Sequence, residues 1–389
     1  VSFLDALPHV GAAHYELRMF EGARAQQPCV PCLSHELDPH TGLIRRLDAG
    51  DGLECLAGPL LEPRVVDDDG DAWGTDRWSY RVELGRFACV PGSVRMIEQG
   101  PVRNITEAVL EFGRSRIVSH TIAYARWPVL EFRMRVHWNE ERRRLKLAVP
   151  TRLADPLLEC EVPGGAIRRP ADGQEHVHRR WLVLTGRLDG RAISLAVINN
   201  GQNGYDFADS EVRLSVVRSA AYCHEQGFQI GPVPSRSFMD QGVHDIRLLV
   251  TVGEPGSVRR RVSGLADWLS APPPVYAHLP IGTNVAARPF LSLTPGHIRL
   301  LACKPAWGGS GLVVRVQETA GETTRGELDV DGSPVIPLEL QPWEIKTLRI
   351  ERGGPWHEAP MTGEGRTSDQ AQRREMSGPG SRPSDPCHS

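Results

Sequence analysis

The sequence predicts an all-β protein: a large antiparallel supersandwich, then a small β-sandwich module, then a disordered tail. Three observations carry this. Leu130, Phe132, Met134, Val136 and Trp138 alternate with Glu131, Arg133, Arg135 and His137, the period of two that marks a half-buried strand. Many short alternating runs of this kind follow one another between turn signals. One stretch alone has helical spacing, Val258, Val262, Leu265, Ala266 and Leu269. A sheet with one apolar face must be covered on that face, so the strands imply layers packed on one another.

The central strand pair comes first. After Trp138, the charged segment Asn139 to Arg144 reads as a turn, and Leu145, Leu147 and Val149 alternate again around Lys146. Two long strands so joined are expected to form one antiparallel hairpin, with Trp138 in the core, His137 in solvent and Arg142-Arg143-Arg144 as a solvated turn. Upstream, His35 to Asp38 leads through Thr41-Gly42 to Leu43-Ile44, a hairpin signal. Strands are expected at 79–84, 94–98, 105–112 and 117–124, and then at Trp181 onward, 192–198, around Val212 to Val216, and 246–252. Ala271-Pro272-Pro273-Pro274 is a stiff linker and a domain boundary. Beyond it, runs at 299–303, 311–317, 327–330 and 345–350 make the second module. From Gly353 the chain turns to Gly, Pro, Ser, Arg and Glu without periodicity. The expected domains are therefore 1–28, a connector with a leading strand; 29–270, the supersandwich; 271–352, the small sandwich; and 353–389, the tail.

The 389 residues carry a formal net charge of -3 and are 40% hydrophobic. This balance argues for neither nucleic acid nor an anionic membrane as a partner. No apolar run approaches the roughly 20 residues of a membrane span. The opening segment has no basic or apolar leader and no initiator Met, so the expectation is a chain that begins inside a longer, cytoplasmic protein. The eight cysteines include one C-x-x-C, Cys29 and Cys32. No second pair or His pair follows at zinc-site spacing, and unpaired thiols in a reducing compartment are expected.

Candidate binding residues gather in loops. Val65 to Trp78 crowds aspartates, among them Asp71, around Trp73 and Trp78. The spacing does not fit an EF-hand. The mixture suits sugars, since carboxylates accept bonds from hydroxyls and aromatic faces pack on pyranose C–H faces. A solvated acidic turn with structural tryptophans has the better claim on residue content alone. Asn199 to Asp206 is a tight loop in which Gly201 and Gly204 suit positive φ. Arg218 can offer several bonds in a fixed fork to hydroxyls, or can pair with a carboxylate such as Asp206 or Asp240. His244, just before an apolar strand, reads as a structural histidine.

Several stretches in order are similar to one family. They are Trp138-Asn139-Glu140 with Leu145-Lys146-Leu147; Asp38 with Thr41-Gly42 and Ile44; Asp71 and Trp73; Glu98 to Arg103; Glu161 to Pro170, where Gly164 replaces a usual aromatic; Asn199 to Asp206; Arg213 to Ala220, where Ala220 replaces a usual Pro; and Asp240 to His244. Together these resemble the C-terminal β-region of family 38 glycoside hydrolases, bacterial-type retaining α-mannosidases, over roughly residues 3–352. The resemblance implies a galactose-mutarotase-like supersandwich. It also implies an aspartate nucleophile and a zinc, both in an α/β barrel upstream, and this chain has no segment matching that barrel. No catalytic residue, metal ligand or cofactor is therefore expected in this chain.

What the resemblance implies is the non-catalytic half of a retaining α-mannosidase. Its partners would be an α-mannoside and an N-terminal catalytic barrel, and a homo-oligomer stays open. Loops from this half would reach the substrate cleft, and the implied contributors are Asp71, Trp73, Asn200, Tyr205, Asp206, Arg218, Tyr222 and His224. Two other readings stand beside it. One is a free-standing carbohydrate-binding or scaffold protein. The other is a mutarotase-like sugar epimerase, which would need His137, His224 or His244 to converge with a glutamate.

Overall fold

The computed structural model describes residues 10, 11, 13, 15, 28–70, 72, 78–222, 237–275, 289–307, 311–351 and 353–362. The chain divides into two compact units, Val1–Ala6 with Tyr15–Val285, and Leu7–His14 with Ala286–Ser389. Among the described residues no helix is long and apolar enough to cross a membrane.

The first unit is a supersandwich. Its larger sheet has ten strands, running Gly165–Arg169, Ala154–Val162, Trp181–Leu188, Arg191–Asn199, Gly242–Gly253, Leu130–Trp138, Ser115–Tyr124, Arg103–Phe112 and Ala88–Cys89, with Arg95–Gln99 also paired to Arg103–Phe112. The smaller has six, in the order Glu175–Val177, Gly204–Ala208, Glu211–Arg218, Arg143–Pro150, Glu62–Asp67 and Glu83–Arg86. All pairings in both are antiparallel. Phe132, Met134, Val136 and Trp138 from the larger sheet share one buried core with Leu145, Leu147, Tyr205, Phe207, Val212 and Leu214 from the smaller. Each strand turns every second side chain into that core, so the alternation in the sequence becomes the layer structure directly.

The central strand pair is not a hairpin. Leu130–Trp138 lies between Ser115–Tyr124 and Gly242–Gly253, whereas Arg143–Pro150 lies between Glu62–Asp67 and Glu211–Arg218 in the other sheet. Residues 139–142 carry the chain across the sandwich. Either arrangement buries the same alternating apolar residues, so periodicity cannot tell them apart. What holds the crossing is local. Glu140, almost fully buried, accepts bonds from Arg114 N at 2.8 Å and Ser115 Oγ at 3.0 Å and pairs with Arg143. Arg142 turns with φ 52°, its N–H donating to Ser219 O. The Trp138 indole donates to Ser219 Oγ, which ties the end of one sheet to the end of the other.

The middle of the larger sheet is buried on both faces. Leu195, Val197, Leu248 and Val250 join the core, while Ala196, Ile198, Leu249, Trp181 and Val183 are buried on the opposite face. There the helix Pro255–Ser270 packs on three of the strands and buries Val258, Val262, Leu265, Ala266 and Leu269. Glu254 caps it, accepting from Gly256 N and Ser257 N, with Pro255 at the first turn, where its missing N–H costs nothing.

The second unit is a β-sandwich of two four-stranded sheets, Val10–Gly11, Pro289–Thr294, Thr324–Val330, Ile336–Leu340 and Ile298–Pro305, Leu312–Glu318, Ile345–Ile350, Trp356–Glu358. Leu291, Leu293, Val314, Val316, Leu328, Leu338 and Leu348 fill its core. Val10–Gly11 pairs with Pro289–Thr294 as an edge strand of this unit, and Trp356–Glu358 pairs with Ile345–Ile350 at the edge of the other sheet.

Candidate functional site

The outward face of the six-stranded sheet carries an ion-pair network. Leu145, Leu147 and Val149 face the core, so Arg144 and Lys146 face away from it. A register shift between Leu145 and Lys146 places Arg144 directly opposite Arg218 and Lys146 opposite Ser215. Two arginines facing each other across strands repel. Asp68, at the end of the adjoining strand and fully buried, removes that repulsion. It accepts from Arg144 Nε and Nη2 at 3.0 Å, and from Arg218 Nε at 2.7 Å and Nη2 at 3.0 Å. The mirror case lies beside it. Glu175 and Asp206 are cross-strand partners, and the Lys146 ammonium joins them, 2.6 Å from Glu175 Oε2 and in contact with Asp206 Oδ2. Arg144 Nη1, 2.8 Å from Glu175 Oε1, links the two halves, and Arg81 pairs with the other Asp206 oxygen.

Burial sharpens this electrostatics. Lys146 and Asp206 have no exposed side-chain surface. Desolvation pushes the Asp206 carboxyl up, and the charges of Lys146 and Arg81 pull against it. The segment leading into Glu83–Arg86 closes the network. Tyr80, buried, stacks under the Arg144 guanidinium at 3.7 Å, and Trp78 O accepts from Glu175 N at 2.7 Å. Trp78 itself, together with Val82 and Leu84 further along, stays exposed.

The sequence-derived candidates fare differently. Arg218 lies at one end of this network. Arg218 is partly exposed and its carboxylate partner is Asp68, not Asp206 or Asp240. Tyr222 is 64% exposed, and Ala72 N donates to the neighbouring Ala221 O at 3.1 Å. Asn200 is exposed at another edge, its Oδ1 accepting from Arg247 N at 2.9 Å. Tyr205 and Asp206 are both fully buried, Tyr205 in the core with its hydroxyl 3.7 Å from Cys160 Sγ, Asp206 in the network. Asp71, Trp73 and His224 lie outside the described residues.

Arg144 is a correction. It was expected in a solvated turn, and it is buried and central. Asp68, Lys146, Glu175 and Arg81 were not singled out either. The signal available was the face shared by Arg144 and Lys146 on a strand whose other face is apolar. A charged outer face reads as wet until another segment is known to cover it. Of the histidines in the epimerase reading, His137 and His244 are described and His224 is not. His137 pairs with Val243 and His244 with Val136, so the two imidazoles leave opposite faces of the sheet. His244 Nε2 lies 2.7 Å from Asp240 O. Among the described residues no group of His, Cys, Asp and Glu is arranged to hold a metal ion.

Residues 31–227, about half of the chain and the whole of this network, match the Glycosyl hydrolases family 38 C-terminal domain. The chain belongs to that family. It is similar to Alpha-mannosidase 2C1 of Mus musculus, 27% identical over 198 residues that cover 47% of this chain and 18% of that protein. To Alpha-mannosidase 2C1 of Homo sapiens it is 25% identical over 230 residues, 54% of this chain and 22% of that one. The fold is shared with the crystal structure of an alpha-mannosidase from Enterococcus faecalis V583, with a TM-score of 0.67 at 16% identity over 87% of this chain and 44% of that one. A family 38 protein from Enterococcus faecalis gives 0.66, also at 16% identity, over 87% and 46%. This family 38 domain thus spans about a fifth of the length of the curated relatives it matches and under half of these two structures.

Proposed function

We propose that this chain is the non-catalytic β-half of a retaining α-mannosidase. It packs against an N-terminal barrel, which supplies the nucleophile and the zinc, and lends loops to the substrate cleft. The observation that carries this reading is the match of a C-terminal-domain family to a chain whose fold extends over 87% of its own length but 44% of an α-mannosidase structure. The cluster at Asp68, Arg144 and Arg218 supports it. Arg218 keeps a partly exposed guanidinium held by Asp68, and Tyr222, four residues on in the chain, is exposed, a fork and an aromatic face of the kind that sugar hydroxyls and C–H faces meet. Exposed Trp78, Val82 and Leu84 on the neighbouring segment, and Val177 on the edge strand beside it, offer apolar surface for a docked domain.

The alternative, a self-sufficient carbohydrate-binding protein, differs in one observable. A half-built cleft binds sugar poorly by itself, because the contacts that orient the ring come from both halves. Saturation-transfer NMR with methyl α-mannoside and the isolated chain is therefore expected to show no saturable binding at millimolar sugar. Saturable binding that is lost in Arg218→Ala would move the reading to a free-standing binder.

A further inference from the structure

Between the strands Arg191–Asn199 and Gly204–Ala208 the chain makes the loop 200–203, and one buried histidine lies beneath it. His178 N donates to Asn203 O at 2.9 Å, and Asn199 N donates to Arg180 O at 2.8 Å, so the 178–180 turn is sewn to both ends of the loop. The Asn199 side chain stiffens the first corner, Oδ1 accepting from Gly201 N at 2.9 Å where Gly201 has φ 143°. The His178 ring is 6% exposed and stands edge-on to the Tyr205 ring, 5.3 Å between centroids. The ring nitrogens have main-chain groups of Trp181 and Gln202 nearby but no hydrogen bond of good geometry, and Gln202 Oε1 and Trp181 Nε1 are buried and unbonded as well.

We propose that His178 is a pH-operated latch on the 199–204 loop, holding it closed while the imidazole is neutral and releasing it when the imidazole takes up a proton. A charged ring at this position has no carboxylate to meet. From the strand Glu175–Val177 it faces His176, whose ring partners Asp172 at 3.0 Å. From Ala154–Val162 come Cys160, against the Tyr205 hydroxyl, and Glu161, which Arg180 and Arg179 already hold. From Gly165–Arg169 comes Arg169, whose charge acts on Tyr205, and from the helix Arg259, stacked on Trp181 at 4.7 Å. The carboxylates here are already held, Asp172 by His176 and Glu161 by Arg179 and Arg180. Burial accordingly holds the imidazole down to about 4, although the main chain at Trp181 and Gln202 favours a proton. Lifting the loop returns the ring to water and to its ordinary value near 6.5. The latch rests on the fold alone and holds whether or not the loop meets a sugar.

The test is amide hydrogen exchange on the whole chain from pH 7.5 to 4.5, corrected for intrinsic exchange rates. Opening by protonation should lower loop protection at residues 199–204 about tenfold per pH unit below roughly 6.5, while Leu130–Trp138 keeps its protection. His178→Phe should abolish the pH dependence. An unchanged loop in the wild-type chain, the same loss in His178→Phe, or a loss spread through the whole unit would overturn the latch. Should His178→Phe fail to fold, NMR titration of the wild-type ring decides. A midpoint well below 6.5, followed by the amides of residues 200–203, supports the latch. An ordinary midpoint, or loop amides that do not follow the ring, overturns it.

Discussion

Lys146 has no exposed surface and sits between two carboxylates that would otherwise face each other across strands. Removing one member of such a buried set leaves an uncompensated charge, so Lys146→Met should cost about 3–5 kcal/mol, read as a fall in the urea midpoint. Replacing Lys146 and Asp206 together by apolar residues should cost less than the two single changes added. Asp68 and Arg218 make an asymmetric pair in the same way. Arg218→Ala leaves Asp68 held by Arg144 and should change stability by about 1 kcal/mol or less. Asp68→Ala leaves two arginines opposed, one of them buried, and should cost about 3 kcal/mol. Glu131, on the outer face of the larger sheet, adds a pH dependence. Burial pushes its carboxyl up, but bonds from Arg133, Tyr124 and Arg247 outweigh burial and hold it below the usual carboxylate range. Its folded form therefore releases the proton more readily than its unfolded form. The stability it contributes is complete above about pH 4.5 and is lost as pH falls through the lower folded value. Stability measured against pH should lose part of its acid limb in Glu131→Gln. An unchanged limb would remove Glu131 from the account.

At the scale of elements, turn chemistry does what strand pattern cannot. Gly42 has φ 69°, and a Cβ there would stand 2.3 Å from the Ala108 Cβ, so the His35–Leu37 and Ile44–Leu47 hairpin needs glycine at this corner. Gly42→Ala should destabilise the first unit by about 2–3 kcal/mol, checked by thermal or urea unfolding. That hairpin was legible because Thr41-Gly42 is a strong short-range signal. So were the long strands around Leu130 and Ile246 and the helix, whose apolar period of 3.6 residues is unlike anything near it. The crossing at residues 139–142 was not legible. Its turn is made by a buried Glu140 bonded to Arg114 and Ser115, residues about 25 positions earlier. Charges at a turn read as solvated when their partners are far away in sequence. The same blindness hid the network: Arg144 and Lys146 look like a wet face, and only the 78–82 segment folding over them makes it dry.

The molecule has two cores, one in each unit. In the first unit two sheets close on one apolar core, a helix covers the outside of the larger sheet, and ion pairs fill the outside of the smaller. Local motifs in order carried the family. They could not show that Tyr205 turns into the core while Asp206 turns to the opposite, covered face, because inward and outward positions alternate and a one-residue register shift exchanges them. The central claim is functional, that this chain holds one half of a glycosidase cleft without its nucleophile or zinc. Hydrolysis of p-nitrophenyl α-mannoside by the purified chain, with zinc present and with zinc removed, tests it most directly. The account predicts no turnover above the uncatalysed rate under either condition. Zinc-dependent turnover that survives repurification would contradict it, because the β-half would then hold a metal and a nucleophile of its own.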